Sequence, residues 1–471
     1  MHLQRRTFLA QALAGAGLFT LSPLRALAAP GQLIANVTGL YSVMAAKAVA
    51  PTSTAQVAQE VRHWPGQIAV GGGRYSMGGQ IACAGGLHLD LRALKQLVWL
   101  DAHARTVRVQ AGMTWRDLQE LIDPVGLAVM TMQSYANFTI GGSVSINAHG
   151  RYVGNGALGN SVRALQIVLA DGAVVEASRT RNAALFRAAI GGYGALGVIS
   201  EVELDLALNV PMERTMTSVA LADYAAYFQN TVRNDPDCIL HNADLLPPLF
   251  DAPVAISWRA TPKPLTETAR LTARGQSYGM NQNVIFAVTE LPCGPEMRAH
   301  VVNPLVLDKP AVVWRNHEAS HDVAELEPRT RRISTYVLQE YFIPVPHLAA
   351  FVRDMAGIIR QHGANVLNVS IRHSPADELS LLPWASQEVF SLVVYYKQRV
   401  HEKAQAQAGA WTRAMIDAAL QYGGRYYLPY QLHATREQFL RAYPEVAQLR
   451  LLKQALDPQG KFSNQLWSRY F

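Results

Sequence analysis

Residues 67–80 read QIAVGGGRYSMGGQ and residues 139–150 read TIGGSVSINAHG. Each stretch joins a short apolar segment, which predicts a strand, to a loop dense in glycine. Glycine lets the main chain adopt positive φ, and its bare N–H groups can come close enough to a phosphate to hold it. Two such loops, about 65 residues apart, predict a long ligand with a diphosphate at its centre, which indicates a dinucleotide cofactor.

The residues that follow the first loop argue against a Rossmann domain. That fold requires a helix directly after the glycines and an acidic residue about 20 positions later. Here residues 81–91 read IACAGGLHLDL, which alternates like a strand and lacks a helical period. We therefore expect the diphosphate to be held by loops between strands, without a helix dipole.

Five short motifs, taken in order, resemble one family. They are residues 71–80, residues 139–150, GALGNSV at 156–162, GGYGALGVI at 191–199 and DPQGKFSN at 457–464. In these motifs the chain resembles the flavin-dependent oxidoreductases of the vanillyl-alcohol oxidase type. The resemblance covers nearly the whole mature chain. It implies an α+β fold, with a two-lobed PCMH-type FAD-binding domain and a substrate domain whose antiparallel sheet is flanked by helices.

Length and composition support two well-packed domains. The chain has 471 residues, which is long for one core, and it is 49% apolar and 16% charged. We expect an FAD-binding domain over residues 30–210 (lobes 30–110 and 111–210), a substrate domain over 211–425, and a final segment, 426–471, that returns to the FAD domain. Residues 257–335, rich in Pro, Arg and His, are expected to form a lid or a surface insertion.

The first 28 residues predict an export signal. Residues 4–9, QRRTFL, resemble a twin-arginine motif, an apolar run follows through Leu21, and residues 26–28, ALA, offer a cleavage site before Ala29. The twin-arginine route exports proteins that have already folded around a cofactor, so the sequence predicts a periplasmic flavoprotein. An ordinary secretory signal or an N-terminal helix is the alternative.

Charge, apolar run length and cysteine spacing exclude several classes of partner and ligand. The formal net charge of +7 falls to about +4 once the three arginines of the signal are removed, and no run of Lys and Arg supports nucleic-acid binding. No later stretch is apolar for long enough to span a bilayer. The three cysteines, Cys83, Cys238 and Cys293, lack metal-ligand spacing, so we expect no metal. The sequence does not decide whether two of them form a disulfide.

The resemblance implies FAD, and two features of this chain imply that it is not covalently bound. Many relatives attach the flavin to a histidine in the first loop, where this chain has Tyr75. Others use a cysteine before the second loop, but residues 133–138, QSYANF, contain none. By resemblance, the cofactor-binding residues are Gly71, Gly72, Gly73, Arg74, Tyr75, Ser76, Met77, Gly78, Gln80, Thr139, Gly141, Gly142, Ser143, Asn147, His149, Gly150, Asn160, Val162, Gly194, Gly197, Val198, Ile199 and Asn464. His149 is expected to have a structural role beside the cofactor, or else to be an ordinary core histidine.

Arg372 is the first catalytic candidate. Residues 370–383 resemble a motif of alditol and aldonolactone oxidases that has a glutamate two positions before the arginine, where this chain has Ser370. Arg372 would stabilise the reduced flavin electrostatically. Its alternative role is an ion pair with Asp377.

The proton acceptor is expected near the end of the chain. Residues 426–444 resemble the decaprenylphosphoryl-ribose oxidases, which have a lysine where this chain has Tyr430. Tyr430 or His433 is therefore the candidate base, and a histidine suits proton transfer at neutral pH. Glu340 and Tyr341 are weaker candidates for lining the substrate cavity.

Together these features predict an FAD-dependent oxidoreductase. It would oxidise a CH–OH group of a sugar, alditol or lactone by hydride transfer to flavin N5, with dioxygen or a periplasmic electron acceptor restoring the flavin. The alternatives are a 2-hydroxy-acid dehydrogenase or polyprenyl-sugar oxidase of the same fold, and a non-catalytic flavin-binding protein.

Overall fold

The computed structural model describes residues 31–290, 310–328 and 330–471, so the predicted export signal and Cys293 lie outside the described residues. The strands are β1 Gln32–Ala35, β2 Ser42–Ala45, β3 Lys47–Val49, β4 Ile68–Gly71, β5 Leu87–Asp90, β6 Leu97–Asp101, β7 Thr106–Gln110, β8 Leu127–Val129, β9 Val162–Val168, β10 Val174–Ser178, β11 Val198–Leu208, β12 Pro211–Ser218, β13 Cys238–Leu245, β14 Val254–Ala260, β15 Val312–Trp314, β16 Ser334–Pro344, β17 Asn365–Ser374, β18 Val389–Arg399 and β19 Arg425–Tyr426. The helices are α1 Thr54–His63, α2 Trp115–Ile122, α3 Ile140–Ser145, α4 Ala183–Ala189, α5 Tyr224–Tyr227, α6 Gly279–Glu290, α7 Arg315–Glu318, α8 Leu348–His362, α9 Glu402–Gln421, α10 Arg436–Ala442, α11 Val446–Leu456 and α12 Gln465–Tyr470.

The first lobe is a parallel three-stranded sheet, in the order β3-β5-β4, covered by α1. Ser53 caps α1 because its side chain accepts a hydrogen bond from the N–H of Gln56, and Val57 and Val61 face the core. The first glycine-rich loop leaves β4 at Gly71, and the chain forms turns until β5 begins. As the sequence predicted, no helix follows these glycines.

The second lobe is an antiparallel sheet in the order β10-β9-β11-β7-β6, with β8 paired to the end of β11. A capping box of Thr114 and Asp117 begins α2. The turn at Asp171 and Gly172 joins β9 to β10, and Gly172 has a φ of 81°. This lobe combines antiparallel strands with helices, which confirms the α+β class.

The second glycine-rich stretch differs from the prediction. It was expected to begin as a strand, but residues 140–145 form the short helix α3. The N–H groups of Ile140 and Gly141 donate to the carbonyls of Met113 and Ala111, and a Cβ on Gly141 would lie 2.5 Å from the Cβ of Ala111. These tertiary contacts with the chain after β7 thus outweigh the weak helix propensity of glycine. A short helix therefore lies at the second loop, where the sequence predicted none.

The substrate side is built on an eight-stranded sheet in the order β15-β12-β14-β13-β17-β18-β16-β19. Its central strand β18 pairs antiparallel with both β17 and β16. Helices α8 and α9 pack against each other, and α9 also packs against β16 and β18. The domain boundaries at residues 210 and 425 stay predictions.

The stretch 257–335 is neither loose nor confined to the surface where it is described. It contributes α6, β15 and α7, and Arg315 and Asn316 are buried. Arg315 Nη2 donates to the carbonyls of Val129 and Met130 at 3.0 and 2.9 Å, and Asn316 Nδ2 donates to Asp123 Oδ1 at 2.8 Å. These bonds fix α7 to the second lobe.

The final segment crosses back to the two lobes. The N–H of Ile68 donates to the carbonyl of Lys461 at 2.7 Å, so Phe462 continues the edge of the first sheet beside β4. Lys453 Nζ donates to the carbonyls of Ala195 and Phe462, both at 2.7 Å. Among the described helices, none combines the length and the apolar character that crossing a membrane requires.

Candidate active site

A cavity of about 880 Å³ lies between the two lobes and the large sheet. One side is formed by the first loop, α3 and residues 192–199, and the other by β13, β16, β17 and β18. The last segment closes it with Pro429, Tyr430 and Asn464. All five predicted motifs except 156–162 contribute lining residues, so the cavity brings together chain segments that are far apart in sequence.

The lobe side of this cavity fits FAD. Seven glycines line it: Gly72, Gly73, Gly141, Gly142, Gly192, Gly194 and Gly197. A Cβ built on Gly194 would meet no protein atom within 4 Å, so a side chain there would enter open space, and its φ of 72° is one that glycine adopts without strain. The buried hydroxyl of Ser134 also has no hydrogen-bond partner among the described residues. Bare main chain and an unpaired polar atom suit a polar cofactor.

Most of the predicted cofactor residues lie on this wall. Lining the cavity are Gly72, Gly73, Arg74, Tyr75, Ser76, Met77, Gln80, Thr139, Gly141, Gly142, Ser143, His149, Gly194, Gly197, Ile199 and Asn464. Outside the lining set are Gly71, Gly78, Asn147, Gly150, Asn160, Val162 and Val198. Asn147, for example, is buried and donates to Asp377 Oδ2 at 2.8 Å, so it supports the second loop from behind. Contact with FAD stays a prediction for the lining residues.

Behind the first loop, strand β5 carries a histidine that sequence reasoning did not consider, His88. It is fully buried, its Nδ1 donates to the carbonyl of Ile81 at 2.9 Å, and Arg74 lies 3.3 Å from its Nε2. Burial and the charge of Arg74 lower the pKa of His88, so it is neutral and points away from the cavity lining. Tyr75 does line the cavity, and burial raises its pKa to about 12, which leaves a weakly nucleophilic phenol.

The centre of the site is the carboxylate of Glu340, on β16. Its Oε1 lies 2.5 Å from His149 Nε2 and accepts from Ser391 Oγ at 2.8 Å, and its Oε2 accepts from the Tyr430 hydroxyl at 3.1 Å. Burial alone would raise the pKa of Glu340, but His149, Arg372 and Ser391 together hold it below its ordinary value. Glu340 is thus a buried, ionised acceptor. The cavity therefore contains an ionised carboxylate although position 370 is a serine.

Tyr430 and Arg372 flank this carboxylate. Burial and the charge of Glu340 raise the pKa of Tyr430 well above 10, so its hydroxyl is protonated and donates. Arg372 lines the cavity from β17, and burial lowers its pKa while Glu340 opposes that effect. Its buried Nε has no partner among the described residues. The alternative ion pair with Asp377 is not formed, because Asp377 instead accepts from Asn147 and Ser380.

Two further candidates are corrected by their positions. His433 does not line the cavity; it lies against Gly409 on α9, and burial, with the charges of Arg413 and Arg469, lowers its pKa to about 4. Tyr341 is fully buried outside the cavity lining. Neighbouring strand residues face opposite sides of a sheet, which is why Glu340 reaches the cavity and Tyr341 does not.

Sequence reasoning missed a second polar group on the cavity wall. Arg151 Nη2 lies 2.9 Å from Glu318 Oε1, and His321 Nε2 lies 3.7 Å from Glu318 Oε2. Burial would raise the pKa of Glu318, but Arg151 and His321 lower it to about 2, so it stays ionised. The segment that carries Glu318 and His321 is part of 257–335, whose composition gave no functional signal.

An apolar wall completes the substrate side. Val284, Ile285 and Val288 of α6 line the cavity together with Leu338 and Leu367 of the sheet.

Within the described residues, no group of three or more His, Cys, Asp or Glu side chains is placed to hold a metal ion. Cys83 and Cys238 are buried and free.

Comparison with known families agrees with this geometry. Residues 45–178 match the family described as FAD binding domain, and residues 265–470 match the family described as D-arabinono-1,4-lactone oxidase. The chain belongs to the FAD-binding oxidoreductases of the vanillyl-alcohol oxidase type. It is therefore an FAD-dependent enzyme that acts on CH–OH donors, and the non-catalytic alternative has no support.

Individual relatives extend over most of the chain. It is 22% identical to L-gulonolactone oxidase from Mus musculus over 89% of this chain and 94% of the relative. It is 23% identical to decaprenylphosphoryl-beta-D-ribose oxidase from Mycolicibacterium smegmatis over 86% of this chain and 89% of the relative. Alditol oxidase from a Streptomyces species is 37% identical, but over only 26% of this chain and 29% of the relative.

The glycine wall makes a prediction about cofactor affinity. We expect Gly194→Val to weaken FAD binding at least about tenfold, because its side chain enters the open space that a ligand would occupy. Flavin retained after dialysis, read by absorption, measures this. Gly363→Val is the control, since Gly363 also has positive φ (59°) and free space but ends α8 outside the cavity lining. Equal flavin loss in both variants would contradict the assignment.

Proposed function

We propose that this protein oxidises a CH–OH group of a sugar, alditol or lactone and that Tyr430, Glu340 and His149 remove the hydroxyl proton. The observation that carries the proposal is the Glu340 carboxylate, held between the Tyr430 hydroxyl and His149 Nε2 on the cavity wall. FAD, when bound, supplies the hydride acceptor. The names of the gulonolactone, alditol and decaprenylphosphoryl-ribose oxidases support this substrate class.

The proton passes in two linked transfers. The substrate hydroxyl gives its proton to the Tyr430 oxygen, while Tyr430 gives its own proton to Glu340 Oε2, 3.1 Å away. Tyr430 thus never becomes a free phenolate, which its raised pKa would disfavour. His149 orients the carboxylate and keeps it ionised before the transfer. The predicted structural role of His149 becomes a positioning role next to the reacting group.

Arg372 provides a positive charge on the cavity wall, opposite in sign to the Glu340 carboxylate. Its guanidinium stays protonated despite burial, because arginine does not lose its proton in proteins. With no ion pair among the described residues, it is free to stabilise negative charge that develops on the substrate oxygen or the cofactor. A 2-hydroxy-acid substrate is less well supported, since each of the other cavity arginines already lies beside a carboxylate: Arg74 beside Asp90, Arg151 beside Glu318 and Arg331 beside Glu327.

The relay predicts the effect of Glu340→Gln. We expect the rate of flavin reduction by an aldonolactone or alditol to fall at least about 100-fold, because the amide cannot accept the relayed proton. Anaerobic stopped-flow absorption of the FAD-loaded variant measures this rate. Subsequent admission of dioxygen to the reduced wild-type enzyme distinguishes an oxidase from a protein that uses a periplasmic electron acceptor.

His433→Gln is the control for this experiment. His433 lies outside the cavity lining, so the variant should reduce its flavin at the wild-type rate. Normal reduction by Glu340→Gln together with a slow His433→Gln would reverse the assignment of the base. A wild-type flavin that no sugar, alditol or lactone reduces would refute the proposed function.

The flavin is proposed to be held without a covalent bond. Tyr75 is a neutral phenol, His88 is turned away, and His149 is held by Glu340. Neither Cys83 nor Cys238 lines the cavity. Acid precipitation of the holoenzyme should therefore leave a yellow supernatant and a colourless pellet. A yellow pellet would show a covalent bond.

Export through the twin-arginine route is part of the proposal. The motif at residues 4–9 and the small residues before Ala29 support it. Expression of the full chain in a bacterium should give a periplasmic protein whose N-terminal sequence begins at Ala29. Replacing both Arg5 and Arg6 by Lys should leave the protein in the cytoplasm, whereas continued export would indicate an ordinary secretory signal.

A further inference from the structure

The proton relay leaves the second polar group on the cavity wall unused. That group consists of Arg151, Glu318 and His321, all of which line the cavity. The side chains of Arg151 and Glu318 are 16% and 13% exposed. Such a buried ion pair contributes little net stability compared with apolar residues of the same volume, so its presence on a cavity wall calls for a role in binding.

Hydrogen bonds from three parts of the fold hold the group in place. The carbonyl of Arg151 accepts from the N–H of His241, on β13, at 2.7 Å. Glu318 ends α7, which Asn316 fixes to Asp123 in the second lobe. The carbonyl of His321 accepts from the N–H of Ala136 at 2.9 Å. The three side chains are thus presented by backbone that is already ordered, as a preorganised binding site requires.

The donors and acceptors of this group suit hydroxyls. Arg151 has five N–H donors, more than its ion pair with Glu318, where Nη2 lies 2.9 Å from Oε1, can use. The Glu318 oxygens and the His321 ring add acceptors and a donor. A pair of neighbouring hydroxyls both donates and accepts, so it can bond to Glu318 and Arg151 together. A negatively charged group would instead be repelled by Glu318, and a simple alkyl group would leave the charges unsatisfied.

We propose that Arg151, Glu318 and His321 form a subsite that binds hydroxyls of the substrate remote from the carbon being oxidised. The inference rests on the proposed function, and it makes these three residues determinants of specificity rather than catalytic residues. The enzyme is then expected to prefer long polyols over short ones, because a longer chain carries additional hydroxyls away from the carbon being oxidised, and these can bond to the second polar group on the same cavity wall.

The test compares a long and a short polyol on the FAD-loaded enzyme. For Glu318→Gln, we expect kcat/KM for a six-carbon alditol to fall about tenfold or more, since a buried charged hydrogen bond is lost. The value for glycerol should change less than about twofold. Arg151→Lys should give a smaller loss of the same kind, and His321→Gln provides a further variant if Glu318→Gln folds poorly. A merely structural role would lower kcat/KM for both substrates equally.

Glu388→Gln is the matched control. Glu388 also accepts from a histidine and an arginine, His373 Nε2 and Arg233 Nη1, both at 2.7 Å, but none of the three lines the cavity. The Glu388→Gln variant should leave the ratio of the kcat/KM values for the two polyols unchanged. An equal loss for both polyols in the Glu318 and Arg151 variants, or the same selective loss in Glu388→Gln, would overturn the subsite.

Failure of the proposed function can be told apart from failure of the subsite. If wild-type flavin is reduced by no sugar, alditol or lactone, the proposed function fails; if no polyol reduces it, the subsite is judged by binding alone. Polyol-induced changes in the flavin absorption spectrum measure that binding without turnover. Tighter binding of the six-carbon alditol than of glycerol, lost in Glu318→Gln, would support the subsite, and no such difference would refute it.

Discussion

The carboxylate of Glu340 is the interaction on which the active site depends. It is 2% exposed, and an ionised carboxylate at such depth is costly unless donors surround it. Its donors come from three distant parts of the chain, since His149 follows α3, Ser391 is on β18 and Tyr430 is in the final segment. Satisfying one charge therefore fixes the second loop, the large sheet and the end of the chain relative to one another.

Sheet register explains how the reacting groups meet. Arg372 is paired with Ser391 across β17 and β18, and Ser391 also donates to Glu340 on the next strand, β16. The three side chains thus lie on one face of the same rigid sheet. A site built on adjacent strands holds its geometry better than one built on loops. The aromatic rings of Trp384 and Phe342 pack against His149 and hold its ring in place.

Local sequence predicted much of the fold. The helix capped by Ser53, the capping box at Thr114 and Asp117, and the turn at Asp171 and Gly172 each depend on residues within a few positions, so they could be found without tertiary information. The helix α3 could not, because its glycines and branched residues favour other conformations. Its first residues become helical through hydrogen bonds to Met113 and Ala111, which are almost 30 positions earlier.

The sequence by itself determined the cofactor, the family and most of the glycine wall, because short loops with bare N–H groups carry that information in their own residues. It also selected Arg372 and Tyr430, which lie on the cavity wall. Only the tertiary structure decided that the carboxylate of Glu340 meets Tyr430 there, that His433 lies outside the cavity lining, and that Arg151 meets Glu318. The physical reason is that burial and charge pairing set the role of an ionisable side chain, and both depend on residues far apart along the chain: His149 and Tyr430 lie 191 and 90 positions from the Glu340 that they contact.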